Sequence, residues 1–430
     1  MCTEYQAFVN ILKEELLPAM GCTEPIAVAY CAATARKLLE AEPTRVQIEA
    51  SGNIIKNVKS VVVPNTDERK GLEAAAAIGI VAGDPDKKLQ VIADVTAEQR
   101  RNLQAFMERV PITVDIAPSK LVFDILVTLY AGDACVKCRI INNHTNIVLL
   151  EKNGQVLFAQ PLVEDSESGM TDRSFMTLDK IFDFAENVAV CDVKEILDRQ
   201  IRYNMAIAEE GLRNSYGANI GSTLLNANKV LCACDQEEAT RLMAKAMAAA
   251  GSDARMNGCE MPVVINSGSG NQGITASVPV IVYARALGVS DEKLYRALVL
   301  SNLIAIYQKT FIGRLSAYCG AISAGCATAC GIAYLKGGDL DTVAHTLVNS
   351  VAISSGVICD GAKPSCAAKI ALAVDTGIFG YEMYENGSQL YRNDGIVQSS
   401  ADAMVRSVGK LASEGMRKTD EVILQIMLKK

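Results

Sequence analysis

Cysteines beside predicted helix boundaries are the residues of this sequence best suited to chemistry. Residues 312–369 contain five of the fourteen cysteines of the chain. Three of them, Cys319, Cys359 and Cys366, stand next to glycine, proline or polar turn residues, where a helix would begin or end. Unpaired backbone N–H groups favour a thiolate at a helix N-terminus. Three such thiolates together would hold an iron–sulfur cluster and leave one iron free to bind and polarise a substrate.

A further cysteine lies in a turn near the N-terminus. The segment Gly21-Cys22-Thr23-Glu24-Pro25 predicts a tight turn with the proline at the first position of a long helix. Cys22 would then stand just before a helix N-terminus, a position that favours the thiolate. Position alone leaves two interpretations open, a reactive thiol and a buried small apolar residue.

The segment of residues 261–273 reads MPVVINSGSGNQG and contains a formal GxGxxG match. A nucleotide site is disfavoured because no repeated βαβ pattern surrounds the match. An anion cradle is a second interpretation, since glycines let backbone N–H groups point at a carboxylate or phosphate. A glycine-rich bend between packed helices is the third. The candidate binding residues are Ser267, Gly268, Ser269, Gly270 and Asn271.

Two basic residues, Lys309 and Arg314, precede Cys319. A cation at this place could hold a substrate carboxylate or compensate the charge of the thiolates. Lys309 is therefore a further candidate for substrate binding.

Other metal or nucleophile sites are disfavoured. Cys135 and Cys138 form a CxxC motif, but inside a predicted strand their side chains point to opposite faces, so we expect no redox or zinc site there. The chain has only two histidines. A Ser-His-Asp triad, an HExxH zinc site and a histidine-rich metal centre are therefore not expected.

The composition is that of an acidic protein with closely packed helices. The 430 residues are 50% hydrophobic and 5% aromatic, with no tryptophan and a net charge of −7. An acidic chain without lysine–arginine clusters argues against nucleic acid or an anionic membrane as partner. No apolar run reaches the roughly 18 residues of a membrane span, and the N-terminus does not resemble a signal peptide. We expect a cytoplasmic protein with reduced thiols, and a homo-oligomer is compatible with the sequence.

Apolar periodicity predicts an α+β fold in which helices dominate. Residues 4–17 and the stretch after Pro25 predict helices. From residue 43 the pattern predicts two strands around Ser51-Gly52-Asn53, a helix at 71–82, a strand LQVIADV, a helix capped by Thr96, and then a meander of strands. From residue 165 onward the strands end and helical periodicity follows. We predict a mostly helical catalytic domain of residues 1–42 and 165–430, with a smaller α+β domain inserted at 43–164.

The motifs GCTEP, NSGSGNQG, IGRLSAYCGA and CDGAKPSC occur in this order over essentially the whole chain. Together they resemble the iron–sulfur L-cysteine desulfidases, which are related to the α-subunit family of iron–sulfur L-serine dehydratases. The resemblance implies a [4Fe–4S] cluster held by Cys319, Cys359 and Cys366. It also implies that Cys22 lies in the active site as the candidate base, and that the glycine-rich loop binds the substrate carboxylate. The cysteines, Cys22 and residues 267–271 should therefore face one cavity.

The reaction implied by this resemblance is a β-elimination that converts L-cysteine to pyruvate, ammonia and hydrogen sulfide. Dehydration of L-serine by the same residues is the first alternative, because only the leaving group differs. In some serine dehydratases a C-terminal cysteine occupies the open iron, and the Leu428-Lys429-Lys430 tail lacks one, which favours the desulfidase. A pyridoxal-phosphate lyase would need a Schiff-base lysine on an α/β scaffold. A non-enzymatic iron–sulfur sensor would need neither the anion cradle nor Cys22.

Overall fold

The computed structural model describes residues 3–162, 170–228 and 235–428. The fold is α+β and mostly helical, which confirms the predicted class. A short 3₁₀ helix spans Pro85–Gln90 and a π-helical turn spans Leu411–Gly415. The α-helices in the described ranges are α1 (Thr3–Glu15), α2 (Thr23–Leu39), α3 (Gly52–Val58), α4 (Gly71–Ala82), α5 (Ala97–Arg109), α6 (Leu178–Asn187), α7 (Val190–Arg213), α8 (Ile220–Ala227), α9 (Gln236–Met256), α10 (Gly270–Leu287), α11 (Asp291–Ile312), α12 (Gly320–Leu335), α13 (Leu340–Ser354), α14 (Cys366–Glu385), α15 (Ala401–Lys410) and α16 (Arg417–Leu428).

The strands form one mixed sheet and one short ribbon. They are β1 (Pro18–Met20), β2 (Arg45–Ala50), β3 (Ile112–Ile116), β4 (Asp124–Ala131), β5 (Ala134–Ile141), β6 (Ile147–Lys152), β7 (Gln155–Ala159) and β8 (Pro262–Val264). The six-stranded sheet has the order β3-β2-β4-β5-β6-β7, in which β2 and β3 are parallel and the other neighbours antiparallel. Alternate residues of β4, namely Ile125, Val127 and Leu129, are buried, as the period of two in a strand requires. Helix α2 packs on β4 and β5 and also contacts α4.

Two of the predicted strands are wrong. The residues after Ser51 form α3, in which the five consecutive residues 54–58 are all buried, so the helix is covered on more than one side. The segment LQVIADV is not a strand: its first two residues end the 3₁₀ helix and the next four form a turn. Its apolar residues are buried by the contact between this turn region and α2, which needs no strand pairing.

Small residues allow the helices of the C-terminal half to pack closely. A Cβ atom on Gly325 of α12 would lie 2.5 Å from the carbonyl oxygen of Ala373 in α14. A Cβ atom on Gly211 of α7 would lie 2.0 Å from the carbonyl oxygen of Ala250 in α9. These contacts explain why a core rich in alanine and glycine needs so few aromatic side chains. Within the described ranges, no helix is both long and apolar enough to cross a membrane.

The ribbon of β1 and β8 brings the N-terminal turn and the glycine-rich loop together. The strands pair antiparallel, with Pro18 opposite Val264 and Met20 opposite Pro262. The Thr23 hydroxyl, just after the first strand, donates a 2.7 Å hydrogen bond to the Gly268 carbonyl after the second. The N-terminal turn and the glycine-rich loop are therefore neighbours.

The boundary predicted between residues 164 and 165 lies outside the described residues, which omit 163–169. Helix α2, assigned to the helical domain, packs on strands of the inserted segment. The division into two domains remains a prediction.

Candidate active site

One pocket brings together almost all of the residues predicted from the sequence. Its volume is about 750 Å³, including its opening to solvent. Gly270 lies directly behind the lining, where a Cβ atom would come within 2.2 Å of Arg255 Nε. Cys135 and Cys138 lie in β5 and are not part of the lining. The predicted residues that line the pocket are Cys22, Ser267, Gly268, Ser269, Asn271, Lys309, Cys319, Cys359 and Cys366.

The backbone fixes the positions of the three clustered cysteines. Cys319 is the N-cap of α12 and Cys366 is the first residue of α14. Cys359 lies in the loop before α14. Two backbone hydrogen bonds, of 2.6 and 3.1 Å, pair residues 357–359 with residues 317–319 in short β-bridge geometry. Cys319 and Cys359 are thereby held side by side.

Neighbouring groups favour a thiolate at Cys359. The Cys319 thiol hydrogen-bonds to Cys359, and this contact, together with the charges of Lys56 and Lys369, lowers the pKa of Cys359. The same contact and burial raise the pKa of Cys319. Burial raises the pKa of Cys366. Lys56 Nζ also donates a 3.4 Å hydrogen bond to the Cys359 carbonyl.

The three thiols line the pocket but do not form a site for a single metal ion. In the part of the chain that the structure describes, no three His, Cys, Asp or Glu side chains converge closely enough to hold one ion. Each thiolate of an iron–sulfur site binds its own iron, so the thiols line a cavity instead of meeting at a point. The cations near Cys359 would compensate the negative charge of thiolates and sulfides.

Cys22 is a buried residue at the N-terminus of α2. It is the N-cap, so the helix begins at Thr23, two residues earlier than predicted from Pro25. The Cys22 side chain is 2% exposed, and its thiol donates a 3.3 Å hydrogen bond to Glu24 Oε2. Burial and the Glu24 carboxylate raise the pKa of Cys22. The predicted lowering of the Cys22 pKa is therefore wrong for the chain alone, because desolvation and a neighbouring negative charge outweigh the effect of the helix N-terminus.

Glu24 is an ionised hydrogen-bond acceptor beside Cys22. Its carboxylate accepts hydrogen bonds from Thr23 Oγ1 at 3.0 Å and from Asn57 Nδ2 at 2.9 Å. Burial opposes ionisation, but His144, Arg255 and the hydrogen bond from Asn57 hold the pKa of Glu24 below its usual value. The lowered pKa of Glu24 and the raised pKa of Cys22 both keep the shared proton on the thiol.

The glycine-rich loop is a tight turn that leads into α10. Ser267 and Gly268 have φ angles of +49° and +79°. Reciprocal backbone hydrogen bonds of 3.0 and 3.1 Å between Asn266 and Ser269 close the turn. A Cβ atom on Gly268 would lie 2.8 Å from His144 Cε1, so this position needs glycine for space as well as for φ.

The loop directs the N-terminus of α10 towards the pocket. The first helical hydrogen bond runs from the Gly273 N–H to the Ser269 carbonyl at 3.0 Å. The N–H groups of residues 270–272 therefore have no helical acceptor and are suited to an anion. The preceding strand, β8, pairs only with β1 in the described chain, so no βαβ unit supports the nucleotide interpretation.

Arg255 of α9 lies behind this loop and also lines the pocket. Its side chain is 1% exposed, and Nη1 donates a 3.1 Å hydrogen bond to Asn271 Oδ1. The Nε and Nη2 atoms have no hydrogen-bond partner among the described residues.

Two further cations border the three cysteines. Lys309, near the end of α11, is 5% exposed, and burial lowers its pKa to about 8. Arg314 donates a 2.7 Å hydrogen bond from Nη2 to Glu15 Oε1. Glu15 also pairs with Arg173, so the position of Arg314 is fixed by a buried ion-pair network.

Comparison with known proteins shows which family the chain belongs to. The family model described as serine dehydratase alpha chain matches residues 86–425. The chain belongs to the serine dehydratase alpha chain family. The matched range contains the glycine-rich loop and all three clustered cysteines, whereas Cys22 precedes it. The predicted relationship to the serine dehydratases is thus confirmed at the level of the family.

Several relatives of this serine dehydratase family member match it from end to end. The UPF0597 protein of Desulfitobacterium hafniense is 54% identical over 99% of this chain and 97% of its own length. The UPF0597 protein of Treponema denticola is 47% identical over 99% of both chains. That of Fusobacterium nucleatum is 43% identical over the full length of both. These names state no substrate.

Glu24, Arg255 and His144 are among the pocket residues that sequence reasoning missed in this serine dehydratase family member. Glu24 stands two residues from the candidate base in GCTEP, and an acidic neighbour of a thiol was a usable signal. Arg255 ends a long alanine-rich helix, and His144 lies in the loop between β5 and β6. Neither has a local pattern that separates it from a surface residue.

Proposed function

We propose that this protein is an iron–sulfur-dependent β-eliminating lyase that converts L-cysteine to pyruvate, ammonia and hydrogen sulfide. The observation that carries the proposal is the meeting, in one pocket, of three cysteines, the Cys22–Glu24 pair and the N-terminus of α10. Membership of the serine dehydratase alpha chain family supports lyase chemistry on a small amino acid.

Cys319, Cys359 and Cys366 would hold a [4Fe–4S] cluster. Their separate positions around the pocket and the cations near Cys359 suit such a group. When bound, a cluster with one iron free of protein ligands supplies a Lewis acid that stabilises negative charge developing on the substrate.

The glycine-rich loop would orient the substrate. The free N–H groups at the start of α10 bind the carboxylate, and the Asn271 amide adds a side-chain donor. Holding the carboxylate at one point directs the α-carbon towards a base on the other side of the pocket.

Cys22 would act as that base. Burial and the Glu24 carboxylate raise the pKa of its thiol in the chain alone, so the thiol must first lose its proton to solvent, and the thiolate then takes the α-proton of the substrate. The α-proton is very weakly acidic, and each tenfold gain in rate requires about 1.4 kcal/mol of barrier lowering. A thiolate alone is therefore insufficient, and charge stabilisation in the pocket has to supply the remainder.

The elimination balances without an oxidant or a reductant. As the α-proton leaves, its bonding electrons form the Cα–Cβ double bond and the Cβ–S bond breaks. Sulfide departs with the electron pair, and Lys309, whose pKa is about 8, is placed to protonate it. The remaining 2-aminoacrylate tautomerises and reacts with water to give pyruvate and ammonia.

Dehydration of L-serine is the second candidate function. The family model that matches residues 86–425 is that of the serine dehydratase alpha chain. The same pocket residues would carry out the dehydration, with hydroxide as the leaving group.

An anaerobic assay of the reconstituted protein with L-cysteine and L-serine side by side tests the proposal. We expect pyruvate from L-cysteine in equal amount with sulfide, and a kcat/KM at least about tenfold above that for L-serine, a difference of about 1.4 kcal/mol. Turnover of L-serine alone would replace the proposal by the second candidate. Turnover of neither substrate by cluster-loaded protein would reject both.

A further inference from the structure

Arg255 is a buried guanidinium that lacks a carboxylate partner in the described chain. The side chain is 1% exposed, and two of its three nitrogen atoms, Nε and Nη2, are buried without a hydrogen bond among the described residues. Glu24 lies near enough for Arg255 to favour its ionisation, but the Glu24 carboxylate accepts its hydrogen bonds from Cys22, Thr23 and Asn57. The charge of Arg255 therefore has no direct counterion.

The two unpaired atoms have the geometry of a carboxylate fork. Nε and Nη2 lie on the same edge of the planar guanidinium, and this edge binds the two oxygens of a carboxylate in parallel. The third nitrogen, Nη1, is held at 3.1 Å by Asn271 Oδ1, which fixes the orientation of the plane. An edge-on, two-point contact with a carboxylate is thus preformed.

Gly270 allows this edge to approach the start of α10. A Cβ atom at this position would lie 2.2 Å from Arg255 Nε and 2.7 Å from its Cζ. The absence of a side chain lets the guanidinium lie against the helix N-terminus, whose N–H groups also favour an anion. Arg255 and these N–H groups therefore both add positive potential at this end of the pocket.

An unpaired buried charge is costly, by several kcal/mol per ion, and arginine does not lose its proton in proteins. An anionic group from a ligand would remove this cost. We propose that Arg255 binds the α-carboxylate of the substrate through Nε and Nη2, and that it restricts the pocket to amino acids with a free carboxylate. This inference deepens the proposed function and rests on it.

The test uses the anaerobic, cluster-loaded protein and a ligand that cannot react. L-Alanine keeps the amino and carboxylate groups but has no leaving group, and L-alaninamide replaces the carboxylate by a neutral amide. Titration calorimetry should detect L-alanine binding to the unchanged protein, with an affinity about 100-fold or more above that of L-alaninamide, because loss of a buried charge pair weakens binding by this order.

Substitution of Arg255 should remove this discrimination. In Arg255→Gln we expect the affinity for L-alanine to fall about 100-fold, close to that for L-alaninamide. Arg255→Lys keeps the charge but not the fork and should lose about tenfold. Arg241→Gln is the matched control, since Arg241 lies on the same helix in ion pairs with Asp375 and Glu382 and does not line the pocket. It should bind L-alanine as the unchanged protein does.

Several results would overturn the inference. The first is equal binding of L-alanine and L-alaninamide by the unchanged protein. The second is full L-alanine affinity in Arg255→Gln. If the glutamine variant does not fold, full L-alanine affinity in Arg255→Lys is the deciding result. The proposed function fails separately. Carboxylate binding that depends on Arg255, without turnover of L-cysteine or L-serine, would support this inference and reject the lyase. Turnover with an unchanged KM in Arg255→Gln would support the lyase and reject the role of Arg255.

Discussion

At the scale of single residues, Cys22 and Glu24 have opposite and complementary properties. Burial and the neighbouring carboxylate keep the Cys22 thiol protonated, and the surroundings of Glu24 keep its carboxylate charged. The 3.3 Å hydrogen bond from the Cys22 thiol to Glu24 Oε2 therefore keeps the proton on sulfur in the chain alone.

Cys22→Ser should separate catalysis from cluster binding. We expect the iron content and visible absorbance to stay at the level of the unchanged protein, while kcat for L-cysteine falls about 1000-fold, within the usual range for removal of a general base. Glu24→Gln removes a negative charge that raises the pKa of Cys22, so the pKa of the Cys22 thiol should fall in this variant.

The exposed Cys191 provides the control for this experiment. Cys191→Ser should retain both the absorbance and the activity. If Cys22→Ser keeps full anaerobic activity, the base lies elsewhere, and Lys309 is the next candidate.

The sequence predicted residues that have a local signature and missed those without one. Cys319, Cys359 and Cys366 stand beside turn residues at helix boundaries, so their neighbours in sequence indicated a site. Arg255 reaches the pocket only because α9 packs behind α10. No pattern within a few residues records that contact, which depends on the packing of the whole helical half.

At the scale of elements, buried ion pairs connect segments that border the pocket. Glu15 ends α1 and pairs with Arg173 before α6 and with Arg314 between α11 and α12. The Glu15 side chain is 2% exposed in these pairs. Burial opposes its ionisation, but the two arginines together lower the pKa of Glu15 to about 2.

Glu15→Gln should destabilise the protein at neutral pH by about 3 kcal/mol, because two buried guanidinium groups lose their shared carboxylate. A carboxyl with a lowered folded-state pKa stabilises fully above its unfolded value of about 4.3 and loses this contribution as the pH falls towards about 2. Urea unfolding should therefore show a difference between variant and parent that is constant from pH 7 to about 5 and shrinks below about 4.

Glu4→Gln serves as the control, since the Glu4–Lys180 pair on the same helix is exposed. It should cost less than about 1 kcal/mol. A Glu15→Gln variant as stable as the Glu4→Gln variant would contradict the account of this network.

Elements with a strong periodic pattern were predictable, and short ones were not. The helix at 71–82 and the helix capped by Thr96 were predicted correctly. In the structure the second of these also has a complete capping box between Thr96 and Gln99. Helix α3 was predicted as a strand because its seven residues contain too few turns to reveal a helical period. The contact of its Lys56 with the Cys359 loop was therefore also beyond prediction.

At the scale of the whole molecule, the pocket is lined by residues of the helical part and of the inserted segment. The helical part contributes the three cysteines, the glycine-rich loop and Lys309, and the segment of residues 43–164 contributes Asn57 and His144. The sequence indicated this fold class from the change of period near residues 43 and 165. It did not indicate that the inserted segment reaches the pocket, because this depends on how the sheet and α3 pack against the rest.

The central claim is that Cys319, Cys359 and Cys366 together hold one cluster. The most direct measurement is the iron and acid-labile sulfide content of anaerobically reconstituted protein in which each cysteine is changed to serine in turn. The account predicts about four irons and four sulfides per chain in the unchanged protein and in Cys135→Ser, and a loss of most of both in Cys319→Ser, Cys359→Ser and Cys366→Ser. Full iron content in any of these three variants, or its loss in Cys135→Ser, would contradict it.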